Sequence, residues 1–377
     1  MNFNALFIKY KSGTATDAEI EIVEAEIEKN KIINDYLAES LDDLFLEEHT
    51  DSLEIKEQVS NRLRKNILYS VISIILLYVF LNFAISPLVD SMYYNPKKVT
   101  QGENMNDITF DMVALTELTV PGYQSTMALV NKKGYGSYDI ILRRTNEFGR
   151  NEERIPIQLT RNRREGFFDY LFSYDLETKL IEEAPLQFDY ENPLKDLKSE
   201  HNYASVFITF NNPLSLLEAT SYELTYNQLI FQWMSIEHGT EYQNEKIGFQ
   251  PINSIRTSFG DRPNKALYPL FYLEDMYSNG EKMSSSFEKS LADNYEIHVK
   301  TLLNYMIDRK AFVTVFDRNH MRTKFYEDTL SYIDENGIKV EGMLIYGETN
   351  DLVKFIEKAD VYGIQIVDMK ASQYSRK

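Results

Sequence analysis

Two features of this 377-residue sequence could support catalysis. Ser286 and Lys289 have the S-x-x-K spacing with which penicillin-binding enzymes activate a serine nucleophile. The S-D-N motif of those enzymes is missing, and the segment that resembles their third motif begins at Lys11, on the other side of a long apolar stretch. Paired carboxylates occur at positions 42–43 and 47–48, on a helix face that we expect to be solvated. We therefore predict that the protein is not an enzyme.

Metal and cofactor sites are not expected either. Five histidines are spread along the chain without an H-E-x-x-H motif, and no cysteine is present to supply a thiolate ligand or a disulfide. There is no P-loop or G-x-G-x-x-G segment for a nucleotide. The net charge of −18 argues against direct nucleic-acid binding, because phosphate groups are bound by clustered Lys and Arg.

Residues 67–89 form a stretch of 23 residues without charge, and 15 of them are Ile, Leu, Val or Phe. A membrane-spanning helix needs roughly 20 apolar residues to cross a hydrocarbon layer about 30 Å thick. The stretch therefore predicts one transmembrane helix. Pro87 is expected to end this helix or to kink its last turn.

The charges beside this stretch predict its orientation. Three basic residues precede it closely: Arg62, Arg64 and Lys65. The first basic residue after it is Lys97. Because basic residues are retained on the cytoplasmic side, we predict a single-pass cell-membrane protein with residues 1–66 inside and residues 90–377 outside. Tyr93 and Tyr94 are expected in the outer aromatic belt.

Residues 1–66 carry 15 acidic and 8 basic residues and are predicted to form short helices. Thr16 and Glu19 have the spacing of a capping box, and apolar residues then recur at steps of three or four positions. The candidate partner-binding residues on these helices are Phe7, Tyr10, Ile20, Val23, Ile27, Leu37 and Leu41.

Two interpretations of these helices stay open. They could pack on each other as a small solvated hairpin, or their apolar stripe could dock into a groove of a cytoplasmic partner. A segment of this length buries little surface by itself, which favours docking. Its acidic face would suit a basic partner such as a DNA-binding protein.

Residues 90–200 are predicted to be a β-rich region. Strands are expected at 109–119, 125–130, 137–144 and 167–174. The basic segment 149–164 is predicted to be a solvated loop. The alternative is that its arginines meet an anionic envelope polymer or lipid head groups.

Residues 201–377 contain two segments with the order strand, short helix, strand. The expected strands are 204–210, 228–236, 340–346 and 363–369, and the expected helices are 213–219, 284–307, 321–335 and 350–359. Two such βαβ units suggest a split-βαβ, ferredoxin-like sheet. The predicted fold class is therefore α+β, with short cytoplasmic helices, one transmembrane helix and an extracytoplasmic domain.

Six segments of the sequence resemble the sigma factor regulator family of Bacillus-type bacteria. They are FIKYKSGTATDAEIEIVEAEIEK (7–29), MVALTELTVPG (112–122), SVFITFNNPLS (205–215), QLIFQWMSIE (228–237), GFQP (248–251) and YIDENGIKVEGMLIYGETNDLVKFI (332–356). Their order and spacing together carry the resemblance.

The resemblance implies an anti-sigma factor, whose cytoplasmic helices sequester an extracytoplasmic-function (ECF) sigma factor and release it on cell-envelope stress. Release by proteolysis, by a second small membrane protein or by helix reorientation all fit the sequence. Many anti-sigma factors hold zinc through a His–Cys–Cys signature, which this cysteine-free chain cannot form. The alternative function is an envelope-binding or structural protein that residues 1–66 merely anchor.

Overall fold

The structure, a computed structural model, describes residues 3–43, 52–166, 191–199, 202–240, 246–252, 260–279, 287–316 and 322–371. The chain divides into two compact units, Met1–Phe80 and Leu81–Lys377. In the first unit, α1 (Phe3–Lys11) and α2 (Asp17–Asp43) form a helical hairpin, and α3 (Ser52–Phe80) follows.

One helical stretch, Arg62–Ser91, is long and apolar enough to cross a membrane, and no part of its most apolar window is buried. It contains a π-helical turn, Leu81–Ile85, followed by α4 (Ser86–Ser91). Pro87 accounts for this irregular turn, because it has no N–H to donate to the preceding turn. An apolar helix without protein cover is unfavourable in water, which supports a membrane as its environment. The predicted span, 67–89, lies inside this stretch.

The second unit contains two sheets with helices. Its further elements are α5 (Asp107–Thr119), β1 (Tyr123–Gly134), β2 (Ser137–Asn146), β3 (Asn151–Thr160), β4 (Arg163–Glu165), α6 (Glu191–Ser199), β5 (Asn202–Ser215), α7 (Leu216–Thr225), β6 (Ile230–Ile236), β7 (Ile247–Phe249), a 3₁₀ helix (Leu273–Asn279), α8 (Phe287–Asp308), α9 (Lys310–Phe316), α10 (Arg322–Asn336), β8 (Lys339–Glu348), α11 (Thr349–Ile356) and β9 (Val361–Ala371).

The first sheet has the strand order β1-β2-β3-β4, and its neighbours are antiparallel. The predicted strands 125–130 and 137–144 are confirmed as parts of β1 and β2. The prediction that 149–164 is a loop is wrong, because most of this segment forms β3 and β4. Ile155, Ile157 and Leu159 are buried at every second position of β3, so its charged neighbours point to solvent.

The strand predicted at 109–119 is also wrong, because these residues form α5. Nearly every side chain of α5 is buried, including three acidic ones. A helix that is covered on all sides shows no polar stripe, so its 3.6-residue period cannot be read from the sequence. The expected strand at 167–174 lies outside the described residues.

The second sheet has the strand order β7-β6-β8-β5-β9, again with antiparallel neighbours. β8 lies between β5 and β6, and β5 lies between β8 and β9, so the two strand–helix–strand units interleave. The four strands predicted in residues 201–377 are confirmed. The three predicted helices that correspond to α8, α10 and α11 are confirmed as well. The helix predicted at 213–219 begins later, at Leu216, because β5 continues to Ser215.

One hydrophobic core joins both sheets. It includes Phe110 of α5, Ile140 of β2, Val206 of β5 and Leu302 of α8. Tyr94 also belongs to this core, so its assignment to an aromatic belt is wrong. The sequence-based boundary at residue 200 stays a prediction.

Candidate functional site: an apolar surface on the N-terminal hairpin

The turn after α1 is built around Gly13. The backbone N–H of Thr14 donates to the Lys9 carbonyl at 3.0 Å, and that of Gly13 donates to the Tyr10 carbonyl at 3.2 Å. These two bonds form a Schellman motif, which requires a residue in the left-handed region. Gly13 meets this requirement with a φ of 72°. The glycine thus ends α1 and reverses the chain.

The start of α2 is held by the Glu19 carboxylate. It accepts hydrogen bonds from the backbone N–H and from the hydroxyl of Thr16, both at 3.0 Å, and it pairs with Lys9 of α1 at 2.6 Å. The bonds from Lys9 and Thr16 lower the pKa of Glu19 to about 2. The predicted Thr16–Glu19 interaction is therefore present. It helps to pin α1 to α2.

The hairpin buries few side chains. Leu6 of α1 and Val23 of α2 are buried, while Tyr10 and Ile20 are half-buried. The Tyr10 hydroxyl donates to Glu24 at 3.4 Å. α1 has 9 residues and α2 has 27, so at 1.5 Å per residue α1 can lie along only about a third of α2.

Three of the seven candidate residues remain well exposed. Phe7 is 41% exposed, Ile27 43% and Leu37 51%. Leu41 lies in α2, but its side chain is outside the described residues. We call the group Phe7, Ile27 and Leu37 the apolar surface of the hairpin. Val23, in contrast, supports this surface from the interior of the hairpin.

Sequence reasoning missed a second exposed apolar strip on α2. It consists of Ile22, Ile32 and Tyr36. These positions fall on one side of the helix at 100° per residue, away from the stripe that contains Val23 and Ile27. The signal was present in the sequence, but the strip is interrupted by polar residues. Exposed apolar side chains therefore lie on two sides of α2, and carboxylates lie between them.

The second unit contains a buried polar centre at Asp111 of α5. This carboxylate accepts hydrogen bonds from Tyr305 at 2.7 Å, from Tyr94 at 3.0 Å, and from Arg309 at 2.7 and 3.0 Å. Burial raises the pKa of Asp111, although these hydrogen bonds favour its charged form. Burial opposes the charge of Arg309, but the Asp111 carboxylate raises the Arg309 pKa. The centre is thus an ion pair with its hydrogen bonds satisfied inside the core.

A second buried centre joins Glu117 and His298. The His298 Nε2 lies 2.7 Å from the Glu117 carboxylate, and its Nδ1 lies 2.7 Å from the Leu270 carbonyl. The carbonyl can only accept, so Nδ1 carries a proton. Trp233 donates to the Glu117 backbone carbonyl at 2.8 Å. These contacts lock α5 against β6 and α8.

Neither centre resembles a reactive site. In both, the ionisable side chains bond to protein groups in the core. Among the described residues, no group of three or more His, Asp or Glu side chains could hold a metal ion. These centres therefore hold elements together.

Residues 194–368 match the family model described as sigma factor regulator C-terminal. The match covers just under half of the chain, and we refer to the matched region as the sigma factor regulator C-terminal domain. The resemblance seen in the sequence is thereby confirmed at the family level. Because such a family acts on sigma factors, the match supports an anti-sigma role and a sigma factor as partner. No curated protein and no solved structure gives a match.

The sigma factor regulator C-terminal domain comprises α6 to α11 and most of the second sheet. It supplies Arg309 and His298, whereas Asp111 and Glu117 belong to α5, before the matched region. The helix α5, the first after the membrane stretch, is therefore fixed to this domain through two buried polar contacts, Asp111–Arg309 and Glu117–His298.

Proposed function

We propose that the chain is a single-pass membrane anti-sigma factor, a regulator rather than an enzyme. Its acidic hairpin sequesters an ECF sigma factor in the cytoplasm and releases it when the outer unit senses cell-envelope stress. The observation that carries the proposal is the exposed apolar surface of the hairpin in a chain with a sigma factor regulator C-terminal domain. The resemblance in sequence favours a target of the sigma-M kind from Bacillus-type bacteria.

Apolar burial and charge would have different roles in this interaction. Phe7, Ile27 and Leu37 would enter an apolar groove of the sigma factor, because apolar area removed from water supplies most of the binding free energy. Exposed carboxylates such as Glu24 and Glu28 lie within one turn of Ile27 on α2. They would attract the basic, DNA-binding face of the sigma factor and speed association.

The membrane topology is part of the proposal. The basic residues before residue 67 support a cytoplasmic N-terminus. The outer unit would then carry the sensing surface, and the span would lie in the cell membrane, with a second small membrane protein as a candidate partner. We further propose that the interleaved β6-β8-β5-β9 order is a ferredoxin-like arrangement, to which β7 adds an edge strand.

Capture of the partner tests this function. The full chain is tagged at its C-terminus, purified from its own membranes in mild detergent, and its bound proteins are identified by mass spectrometry. The control lacks residues 2–60 but keeps the span. We expect a sigma factor with the full chain and none with the control. If the control rescues a gene deletion as well as the full chain does, the envelope-binding alternative holds instead.

A further inference from the structure

The tips of the first sheet contact the outer end of the membrane stretch. The β1–β2 turn is held by a hydrogen bond from the Gly136 N–H to the Asp90 carboxylate at 2.7 Å. The β3–β4 turn is held by a hydrogen bond from the Tyr94 N–H to the Asn162 side chain at 2.8 Å. Since Asp90 directly follows the predicted span, these two tips lie where head groups would surround the helix.

Both turns have a fixed, tight geometry. Tyr135, Arg161 and Asn162 have φ values of 53°, 49° and 65°. The two turns also lie side by side. A Cβ placed on Gly136 would be 3.0 Å from the ring of Tyr93 and 3.4 Å from the side chain of Arg161. Arg161 is therefore positioned beside the chain segment that leaves the membrane stretch.

This region is basic, although the chain as a whole carries a net charge of −18. Positions 90–100, 131–139 and 160–165 together hold seven basic and three acidic residues. Two of those acidic residues already pair with lysines: Asp90 with Lys132 and Asp139 with Lys133, each at 2.6 Å.

Several basic side chains of this region point to solvent without a counter-ion. Lys97, Lys98, Arg161 and Arg163 are exposed, and none of them forms an ion pair within the described ranges. Met92, five positions before Lys97 in the chain, is 72% exposed. Basic and apolar side chains at the end of a membrane helix are typical of a surface that lies on head groups.

We propose that Lys97, Lys98, Arg161 and Arg163 bind the anionic phospholipid head groups around the span, and we call them the basic rim. The inference rests on the proposed span but not on sigma binding. Anionic membrane surfaces attract basic residues within about 10 Å, the Debye length. Contact of the rim with lipid would hold the first sheet, and through Asp90 the outer end of α4, at a fixed height above the bilayer.

A fluorescent probe at two depths tests the proposal. The chain has no cysteine, so Thr160→Cys and Asn151→Cys each give one labelling site. These residues are the two ends of β3, about 30 Å apart. The labelled full chain is placed in nanodiscs of phosphatidylcholine, alone or mixed equally with phosphatidylglycerol, and quenching by a lipid with a spin-labelled head group is measured.

We expect quenching of the probe at position 160 to increase when phosphatidylglycerol is present, and the probe at 151 to stay unaffected. Each basic residue near the surface favours the lipid-bound position about fivefold, so R161Q/R163Q should shift the equilibrium about 25-fold and remove the effect. Arg154→Gln, on the exposed middle of β3, is the matched control and should change nothing. Trp233 fluorescence checks that each variant is folded.

Two results would overturn the inference. One is quenching at position 160 that is the same in both lipids, and the other is quenching that R161Q/R163Q does not reduce. Extraction of the protein from its native membranes by alkaline carbonate would instead disprove the span itself, and the basic rim with it. Free inorganic phosphate serves as a competitor, and displacement by it at low concentration would show a phosphate site rather than a lipid surface.

Discussion

Arg309 donates two hydrogen bonds to the buried carboxylate of Asp111, at 2.7 and 3.0 Å, although the two residues are 198 positions apart. The pair ties the sigma factor regulator domain to α5, close to the end of the membrane stretch. Any movement of this domain away from α5 has to break a buried ion pair. We therefore expect the domain and α5 to move together in any rearrangement of the second unit.

Removal of the arginine should destabilise the second unit strongly. In Arg309→Met, the Asp111 carboxylate stays in the core without its counter-ion, which costs about 3–5 kcal/mol. The loss is measured by urea unfolding of the full chain in detergent. Trp233, the single tryptophan of the sequence, is buried and reports on the second sheet.

Arg154→Met is the matched control for that measurement. Arg154 pairs with Glu152 at 3.0 Å on an exposed part of β3. Exposed ion pairs contribute roughly 0–1 kcal/mol, so this variant should unfold almost as the unchanged protein does. If Arg309→Met and Arg154→Met lowered the free energy of unfolding equally, Asp111 would not be held as a buried charge.

The stability of the second unit should fall in acid partly through Asp261. Its carboxylate accepts four backbone N–H bonds, three of them from Glu103, Asn104 and Met105. Burial opposes its charge, but these bonds lower its pKa in the folded protein. Its stabilisation is therefore complete above the unfolded pKa, about 3.9, and is lost as the pH falls through the folded pKa.

Asp261→Ala tests this dependence. At pH 7 we expect a loss of about 1–3 kcal/mol, because the N–H groups lose their acceptor. The difference in the free energy of unfolding between this variant and the unchanged protein should become smaller below about pH 4. Asp328→Ala, at an exposed contact with Lys324, is the control. If the loss of unfolding free energy in Asp261→Ala did not vary with pH, the stabilising role of the Asp261 charge would be contradicted.

Much of the second sheet could be predicted from the sequence, because β5, β6, β8 and β9 are apolar runs between clear turn signals. α5 could not. Asp107 and Asp111 lie one turn apart on the face that meets Arg309, and Glu117 meets His298. Those partners are 181 to 202 positions later, so the sequence near α5 gives no sign that its acidic residues are buried.

β3 was missed for a different reason. Its buried residues Ile155, Ile157 and Leu159 alternate as a strand requires. The polar residues and the arginines around them favoured a loop. In the hairpin, periodicity predicted the stripe of α2. It could not show that α1 covers Val23 and leaves Leu37 exposed, because that depends on the relative lengths of two helices.

Leu37 should be a major contact with the sigma factor. Leu37→Ala is expected to weaken binding by about 2 kcal/mol, or roughly 30-fold, if the side chain enters an apolar groove. Ile32→Ala is the matched control, since Ile32 is also well exposed, at 63% against 51% for Leu37, but lies on the second strip of α2. Binding is measured by surface plasmon resonance with the full chain in nanodiscs. Equal losses of affinity in Leu37→Ala and Ile32→Ala would mean that the apolar surface of the hairpin does not determine binding.

The orientation of the chain can be checked with single cysteines, since the sequence has none. Val99→Cys should react with a membrane-impermeant maleimide on intact cells, whereas Lys11→Cys should react only after the cells are opened. The reason is the retention of Arg62, Arg64 and Lys65 on the cytoplasmic side. The opposite labelling pattern would put the hairpin outside and exclude cytoplasmic sigma binding.

Sequestration is tested most directly by transcription with purified components. The full chain in nanodiscs is added to core RNA polymerase and the sigma factor that co-purifies with it, on a promoter which that sigma factor recognises. We predict that transcripts decline in proportion to the added chain and stop near one chain per sigma factor, while the variant without residues 2–60 has no effect. Undiminished transcription at an excess of the full chain would contradict the anti-sigma function.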